Sequence, residues 1–471
     1  LRLSRTTDTG DECSDILAHA IYPSGHHIFL NEYSRLARFL YFVYHSYIHI
    51  LYFIVMQKRI VFLFSTAVLL NASVGCNNAS TPADGNQADT TKQATAGLEK
   101  NAANSNYKPA FAGQTRISEV VKTTTPIQVD KLAGGLGRPW SVKVLPGGRI
   151  LITDKSGYLQ SVSADGSDVK KITGLPKVDA SGQGGLLDVT LDPDFTKNKI
   201  IYWSFSEPYQ KGNLTAVAKG KLNEEKLTVE SPVVIFRALP ELTNSDLHYG
   251  SRLVFDKDGN LFVSAGERSV LEGRHQAQEL NSGLGKIFKI TKDGKPAPGN
   301  PFLSQADAKP EIFAYGVRNP QGLALNPVTG ELWEAEFGPR GGDEVNIIRA
   351  GKNYGWPVIT YGIEYSGKKI GDSIQQKEGM EQPVYYWDPV LSPSGMSFYK
   401  GNAIPEWENN LFICGLSGSR INRLVIKDDK VVGEEWLLTD KKERFRDIVY
   451  SDGAFYTVTD VGNLYRISKG K

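Results

Sequence analysis

Along this chain, short apolar strands come in pairs joined by turns rich in Gly, Asp or Asn, and the second strand of each pair runs into small or acidic residues. The first pair is Trp140-Ser141-Val142-Lys143-Val144, the turn Pro146-Gly147-Gly148, and Ile150-Leu151-Ile152-Thr153-Asp154. The second runs from Leu186 through Asp192-Pro193-Asp194 to Ile200-Ile201-Tyr202-Trp203, and the third from Arg252-Leu253-Val254-Phe255 through Asp258-Gly259-Asn260 to Leu261-Phe262-Val263. The fourth is Gly322-Leu323-Ala324-Leu325 followed by Leu332-Trp333-Glu334-Ala335-Glu336. A fifth pairs Gly395-Met396-Ser397-Phe398 with Leu411-Phe412-Ile413, and the sixth pairs Asp447-Ile448-Val449 with Phe455-Tyr456-Thr457-Val458. The intervals between copies leave room for two further strands each. The expected fold is therefore all-β: a six-bladed β-propeller with four-stranded antiparallel blades around a central channel. A β-sandwich with fortuitous hairpins would space them more closely and less regularly.

Composition agrees. The 471 residues include 47 Gly, 23 Pro and 10% aromatics, which suits many short strands and tight turns. A formal charge of +2 gives no footprint for a nucleic-acid partner. Cys13, Cys76 and Cys414 are too far apart to suggest a disulfide framework or a CxxC metal site, and Cys414, in an apolar strand, reads as a small buried hydrophobe.

The N-terminal part has a different character. Residues 1–55 begin with Leu and carry an apolar, aromatic patch over 40–55; they read as an over-extended gene start or an extra membrane segment. Residues 56–76 read as a signal peptide: Met56-Gln57-Lys58-Arg59, an apolar run over 60–70, then small residues up to Cys76. Its end resembles a lipobox in which Cys76 becomes lipidated, although Ser73 stands where Leu is expected; a plain secretory signal cut nearby is the alternative. Residues 77–112, rich in Asn, Ala, Thr, Ser and Gln, read as a disordered tether, and the propeller domain occupies 113–471. The expected location is outside the cytoplasm, periplasmic or anchored as a lipoprotein, with membrane contact only through the lipid.

In a propeller the loops entering the innermost strands all open at one end of the channel. Here those loops carry Arg138-Pro139, Gly182-Gln183-Gly184-Gly185, His248 to Arg252, Arg318-Asn319-Pro320-Gln321, Ser392-Pro393-Ser394 and Arg444-Phe445-Arg446. Arg138, Arg318, Arg444 and Arg446 with one imidazole describe a site for a planar polyanion beside a base, because guanidinium forks bind carboxylates in pairs of hydrogen bonds.

Several strings resemble the glucose/sorbosone dehydrogenase family: Gly182-Gln183-Gly184-Gly185-Leu186-Leu187, the segment 248–253, Tyr315-Gly316-Val317-Arg318-Asn319-Pro320-Gln321-Gly322-Leu323, Glu336-Phe337-Gly338-Pro339 with Asp343-Glu344-Val345-Asn346, and Asn353-Tyr354-Gly355-Trp356-Pro357. The resemblance spans residues 114–470. It implies oxidation of an aldose at the anomeric carbon to the lactone by hydride transfer to pyrroloquinoline quinone (PQQ), with calcium (Ca2+). It implies His248 as general base and Arg318 as the group polarising the quinone, with Gln183, Asn319, Gln321, Arg444 and Arg446 holding PQQ. The carbonyls of Gly338 and Pro339 match the calcium ligands. The electron acceptor would be a cytochrome, a quinone or some other carrier.

Three departures stand out. Glu267, in Ala265-Gly266-Glu267-Arg268, matches an Asp that orients the base. A PQQ-binding Lys after the fifth-blade strand is replaced in Gly415-Leu416-Ser417-Gly418, where Ser417 stands. Leu247 precedes the base where the family's glucose enzyme has an acidic residue. Asp343-Glu344 reads either as a solvated turn or as a second calcium position, and Tyr354 and Trp356 read as packing residues more than sugar platforms. Two rival functions are a non-catalytic propeller acting as a binding module and a calcium-dependent propeller lactonase or hydrolase. The latter needs inward carboxylates holding a metal, where the strings above supply arginines and amides.

Overall fold

A computed structural model describes residues 97–471. The expected signal peptide, Cys76 and residues 1–55 lie outside the described residues. Over 97–112 the stretch read as a tether has no strand or helix, yet it lies against the domain: the amide of Asn104 donates to Asp388 at 2.7 Å, and Ser105 donates to the same carboxylate through its amide and hydroxyl.

The strands are β1 (Ile127–Ala133), β2 (Pro139–Val144), β3 (Ile150–Asp154), β4 (Tyr158–Val162) and β5 (Val169–Ile172); then β6 (Leu186–Leu191), β7 (Ile200–Tyr209), β8 (Gly212–Asn223) and β9 (Thr228–Arg237). They continue with β10 (Leu253–Phe255), β11 (Leu261–Ala265), β12 (Lys286–Ile290), β13 (Ile312–Tyr315), β14 (Pro320–Leu325), β15 (Leu332–Glu336), β16 (Asp343–Ile348) and β17 (Tyr385–Trp387). The last are β18 (Pro393–Phe398), β19 (Leu411–Gly415), β20 (Arg420–Lys427), β21 (Lys430–Leu437), β22 (Phe445–Ser451), β23 (Ala454–Thr459) and β24 (Leu464–Lys469).

They form six four-stranded antiparallel sheets, β2 to β5, β6 to β9, β10 to β13, β14 to β17, β18 to β21, and β22 to β24 with β1. The six-bladed propeller expected from the hairpin repeat is the fold observed. The last blade takes its outer strand from the start of the domain, Ile127 pairing with Lys469, so the ring is closed by hydrogen bonds between the first and last strands of the propeller.

Apolar clusters fill the seams between blades. One joins Leu151 and Leu159 to Trp203 and Phe205 across blades one and two; another joins Val142 and Ile152 to Val458 and Leu464 across the closure. The second strand of a blade is packed on both faces, and all five residues of β3, β11, β15 and β19 are buried. Such strands read as nearly continuous apolar runs for that reason. Cys414 is fully buried in β19, as its sequence context implied.

Beneath the mouth, the channel is stitched by buried charge. The Arg252 guanidinium meets Asp188 at 3.2 Å and Asp447 at 2.9 Å, donates to the Gln321 carbonyl at 2.9 Å and lies over the Trp140 ring. It thus ties five blades at the axis. A buried pair of this kind is costly to break from one side, because the partner is left charged and alone.

Candidate active site

The base and its orienting group come from blade three. Glu267 follows β11, and His248 lies in the loop entering β10; His248 Nδ1 and Glu267 Oε1 are 2.6 Å apart, both side chains buried. Gly266 permits this approach, since a Cβ there would collide with the His248 carbonyl. The His248 backbone is left-handed (φ 49°), a conformation that costs about 1 kcal/mol or more for a non-glycine residue. It is held by its amide donating to Gln183 Oε1 at 2.9 Å and its carbonyl accepting from the Arg268 amide at 3.3 Å. Arg268, stacked on Tyr249, donates to the carbonyls of Leu247 (2.9 Å) and Ser245 (2.7 Å) and so braces the same loop.

With Glu267 as a carboxylate, Nδ1 is the donor and Nε2 keeps its lone pair. Burial, then the charge of Arg318, hold the His248 imidazole down to about 4, with Glu267 only partly opposing them. The ring is therefore neutral at ordinary pH and able to accept a proton.

Blade four supplies the next group. The buried Arg318 donates through Nη1 to the carbonyls of Phe337 (3.0 Å) and Gly338 (2.6 Å), and its guanidinium lies over the Trp356 ring, 5.0 Å from the centroid. The amides of Arg318 and Asn319 both donate to Glu336 Oε2. Asn319 Oδ1 accepts from the Gly250 amide at 3.0 Å. Four buried polar atoms here have no partner: Arg318 Nε, Asn319 Nδ2, Glu267 Oε2 and Trp356 Nε1. Buried donors and acceptors are normally satisfied, and a cluster of orphans marks where a ligand completes the set.

Blades six and one form the cationic side. Arg444 Nε and Arg446 Nε each donate to Asp460 at 2.8 Å, and Arg446 Nη1 reaches Gln321 Oε1 at 3.2 Å, linking blade six to blade four. Arg138 is exposed and bonds Ser156 at 3.2 Å.

Under Arg318 lies a buried acidic group. Glu334 and Glu336 point to one face of β15 and pair in register with Asn346 and Glu344 of β16. Burial pushes the carboxyl of Glu336 up to about 7 and those of Glu334 and Glu344 well above the usual carboxylate range, each repelled further by carboxylates nearby. Asp343, which accepts from the amides of Gly338, Leu391 and Ser392, is raised to about 6, again by burial. Glu334 Oε1 and Asn346 Oδ1 are buried without partners. The solvated-turn reading of Asp343-Glu344 is thereby replaced by a buried one. The long connection between β16 and β17 covers this face: Tyr354, Trp356, Ile359 and Thr360 wall a small cavity with Arg318, Glu336, Gly338, Pro339 and Glu344. Tyr354 and Trp356 are both buried, and the Tyr354 hydroxyl is spent on the Ile347 carbonyl at 2.6 Å. Among the described residues no three His, Cys, Asp or Glu side chains form a ready-made metal site.

Every sequence-selected residue from Gln183 to Arg446 thus reaches one end of the channel or its immediate lining. Besides the acidic residues of β15 beneath Arg318, Lys155 and Asp460 at that end escaped the reading. Both follow the second strand of their blade, as Glu267 and Gly338 do, so the loops leaving second strands open on the same mouth as those entering first strands. The acidic ends of the second strands were the signal.

The class defined by this fold and mouth is a six-bladed propeller with a neutral, carboxylate-oriented histidine set among guanidinium and amide donors. Residues 136–466 match the family model for glucose/sorbosone dehydrogenase, and the chain belongs to that family. It is 41% identical to the aldose sugar dehydrogenase YliI of Escherichia coli over 73% of this chain and 93% of that one. The crystal structure of the soluble aldose sugar dehydrogenase from Escherichia coli in the apo-form superposes with a TM-score of 0.69 at 40% identity, covering 73% of this chain and all (100%) of that one. A PQQ-bound aldose sugar dehydrogenase from Streptomyces coelicolor superposes with a TM-score of 0.62 at 27% identity, covering 74% and 99%.

Proposed function

We propose that this sugar dehydrogenase oxidises an aldose at its anomeric carbon to the lactone with PQQ and calcium. The observation that carries the proposal is the neutral His248 imidazole, buried and held by Glu267, beside Arg318. His248 Nε2 would take the proton from the anomeric hydroxyl while Glu267 holds the ring and stabilises the imidazolium that forms. Arg318, with Nε–H free, would stabilise negative charge developing opposite the base.

The orphaned donors at Arg318 and Asn319 and the arginines at Asp460 fit a planar, polycarboxylated quinone. Gln183, Asn319, Gln321, Arg444 and Arg446 would hold it. The orphaned acceptors at Glu334 and Asn346 and the raised carboxyls beside them fit a calcium ion, which takes oxygen donors. The carbonyls of Gly338 and Pro339 lie at the same cavity, although Gly338 already accepts from Arg318. When bound, PQQ supplies the two-electron acceptor and calcium the Lewis acid. The signal-like residues 56–76 support a site of action outside the cytoplasm, with Cys76 as lipid anchor and a cytochrome or quinone reoxidising the cofactor.

The test is reconstitution. The full chain with PQQ and calcium should reduce an artificial dye when given aldoses, and His248→Ala should abolish this. A chain that binds PQQ but reduces no dye with any aldose would refute the proposed reaction.

A further inference from the structure

Lys155 has no place in the chemistry above, and its surroundings are unusual. It follows β3 with its backbone clamped between two blades: its amide donates to the Arg138 carbonyl at 3.0 Å, and its carbonyl accepts from the Leu186 amide at 3.2 Å. Its ammonium, half-buried, donates to the Gly182 carbonyl at 3.0 Å and makes no other hydrogen bond or ion pair among the described residues. An ammonium has three donors, so two remain.

The charges facing it come from four loops. Arg446 and Arg138 repel it, while Asp460 and Asp246 attract it. Asp460 is already shared by Arg444 and Arg446, and Asp246 forms no ion pair with it. The corner is therefore over-supplied with positive charge. It also adjoins the base: Gly182, which takes the Lys155 bond, precedes Gln183, which holds the His248 amide.

We infer that Lys155 is a further anchor for a carboxylate of the acidic cofactor, acting from blade one with Arg444 and Arg446 and serving where Ser417 has replaced the lysine expected on blade five. The inference rests on the PQQ reading above. It carries a pH dependence. Burial, then Arg446 and Arg138, bring the ammonium down to about 8. A bound carboxylate favours the charged form, so affinity is highest below that value and falls as pH rises through it.

The test is a titration of the full chain with PQQ in calcium buffer, read by quenching of intrinsic fluorescence at constant ionic strength, from neutral to alkaline pH. Lys155→Met should weaken binding at neutral pH by roughly 10- to 100-fold, the range expected for a charge-assisted hydrogen bond. Lys155→Arg should bind as tightly as the parent at neutral pH and lose the fall that sets in near 8. Circular dichroism melts report whether each variant is folded. Parent-like affinity in Lys155→Met, or an unchanged pH dependence in Lys155→Arg, overturns the inference alone. A parent chain that binds no PQQ at any pH overturns the cofactor reading and this inference with it.

Discussion

The two sides of the mouth carry opposite deficits. On blades six and one, Arg444 and Arg446 share one half-buried carboxylate, Asp460, and Lys155 and Arg138 stand in the same corner with only Asp246 added, at the edge of solvent. On blade four, Glu334, Glu336, Glu344 and Asp343 crowd together in the interior with Arg318 as the nearest cation. The first side lacks negative charge and the second lacks positive charge. A scaffold meant only to be stable would have paired each group within the protein, since buried charge is expensive and the buried carboxyls avoid that cost only by keeping their protons. The difference fits the proposed pair of ligands of opposite sign, one for each side of the mouth.

The largest effect separates chemistry from both sides. His248→Ala should lower kcat/KM by about 10²- to 10⁴-fold, the usual worth of a positioned general base. It should leave PQQ affinity and the response to calcium as they were. A parallel loss of PQQ binding would mean that the imidazole holds the cofactor instead of acting as the base. Because the ring is held down to about 4, activity limited by this base should stay flat on the acidic side until pH approaches that value. An acid limb near 6.5 would contradict the burial described here.

Calcium sharpens the contrast next. If the acidic side takes the ion, calcium at about 100 times its Kd stabilises the fold by roughly 2.7 kcal/mol, visible as a raised melting temperature that a chelator reverses. Glu336→Gln should remove most of that shift, while Arg444→Ala with Arg446→Ala should leave it intact. An equal loss in both variants would show that the two sides are one coupled network.

The repeat was readable because inner hairpins need turn residues at fixed places and apolar strands between them, as in Asp258-Gly259-Asn260 between β10 and β11. The closing strand β1 was not, since no residue of Ile127–Ala133 is fully buried and only the distant pairing with β24 gives it meaning. At the mouth, His248, Arg318 and Arg446 announced themselves by type and position. Glu334 and Glu336 did not, because alternating acids along a strand ordinarily mark a solvated face; here residues 353–362 fold over that face, and this long-range cover leaves no periodic trace. Lys155 was missed for a simpler reason: a lone lysine after a strand is the commonest of surface residues, and only Arg446, brought beside it by ring closure to join Arg138 of its own blade, makes it unusual.

The smallest effect tests the comparison without any ligand. Glu336 titrates at about 7 in the fold against an ordinary 4.5, so between those values the folded chain keeps a proton that the unfolded chain has released. Stability from this group is therefore present below 4.5 and lost as pH rises through 7, by up to about 1.4 kcal/mol per pH unit for one proton. Lys155 acts in the opposite sense and in another window. Its folded value of about 8 lies below the ordinary 10.5, so the unfolded chain binds the extra proton and stability rises with pH between the two. That slope is smaller, because solvent screens a half-buried ammonium. Urea unfolding at stepped pH, with each variant subtracted from the parent, isolates the two contributions. Glu336→Gln should flatten only the acidic window and Lys155→Met only the alkaline one. Calcium, by holding the carboxylates charged, should flatten the acidic window in the parent as well. If Glu336→Gln leaves the acidic slope unchanged, its carboxyl is not protonated in the fold, and the cation is owed to some other group on that side.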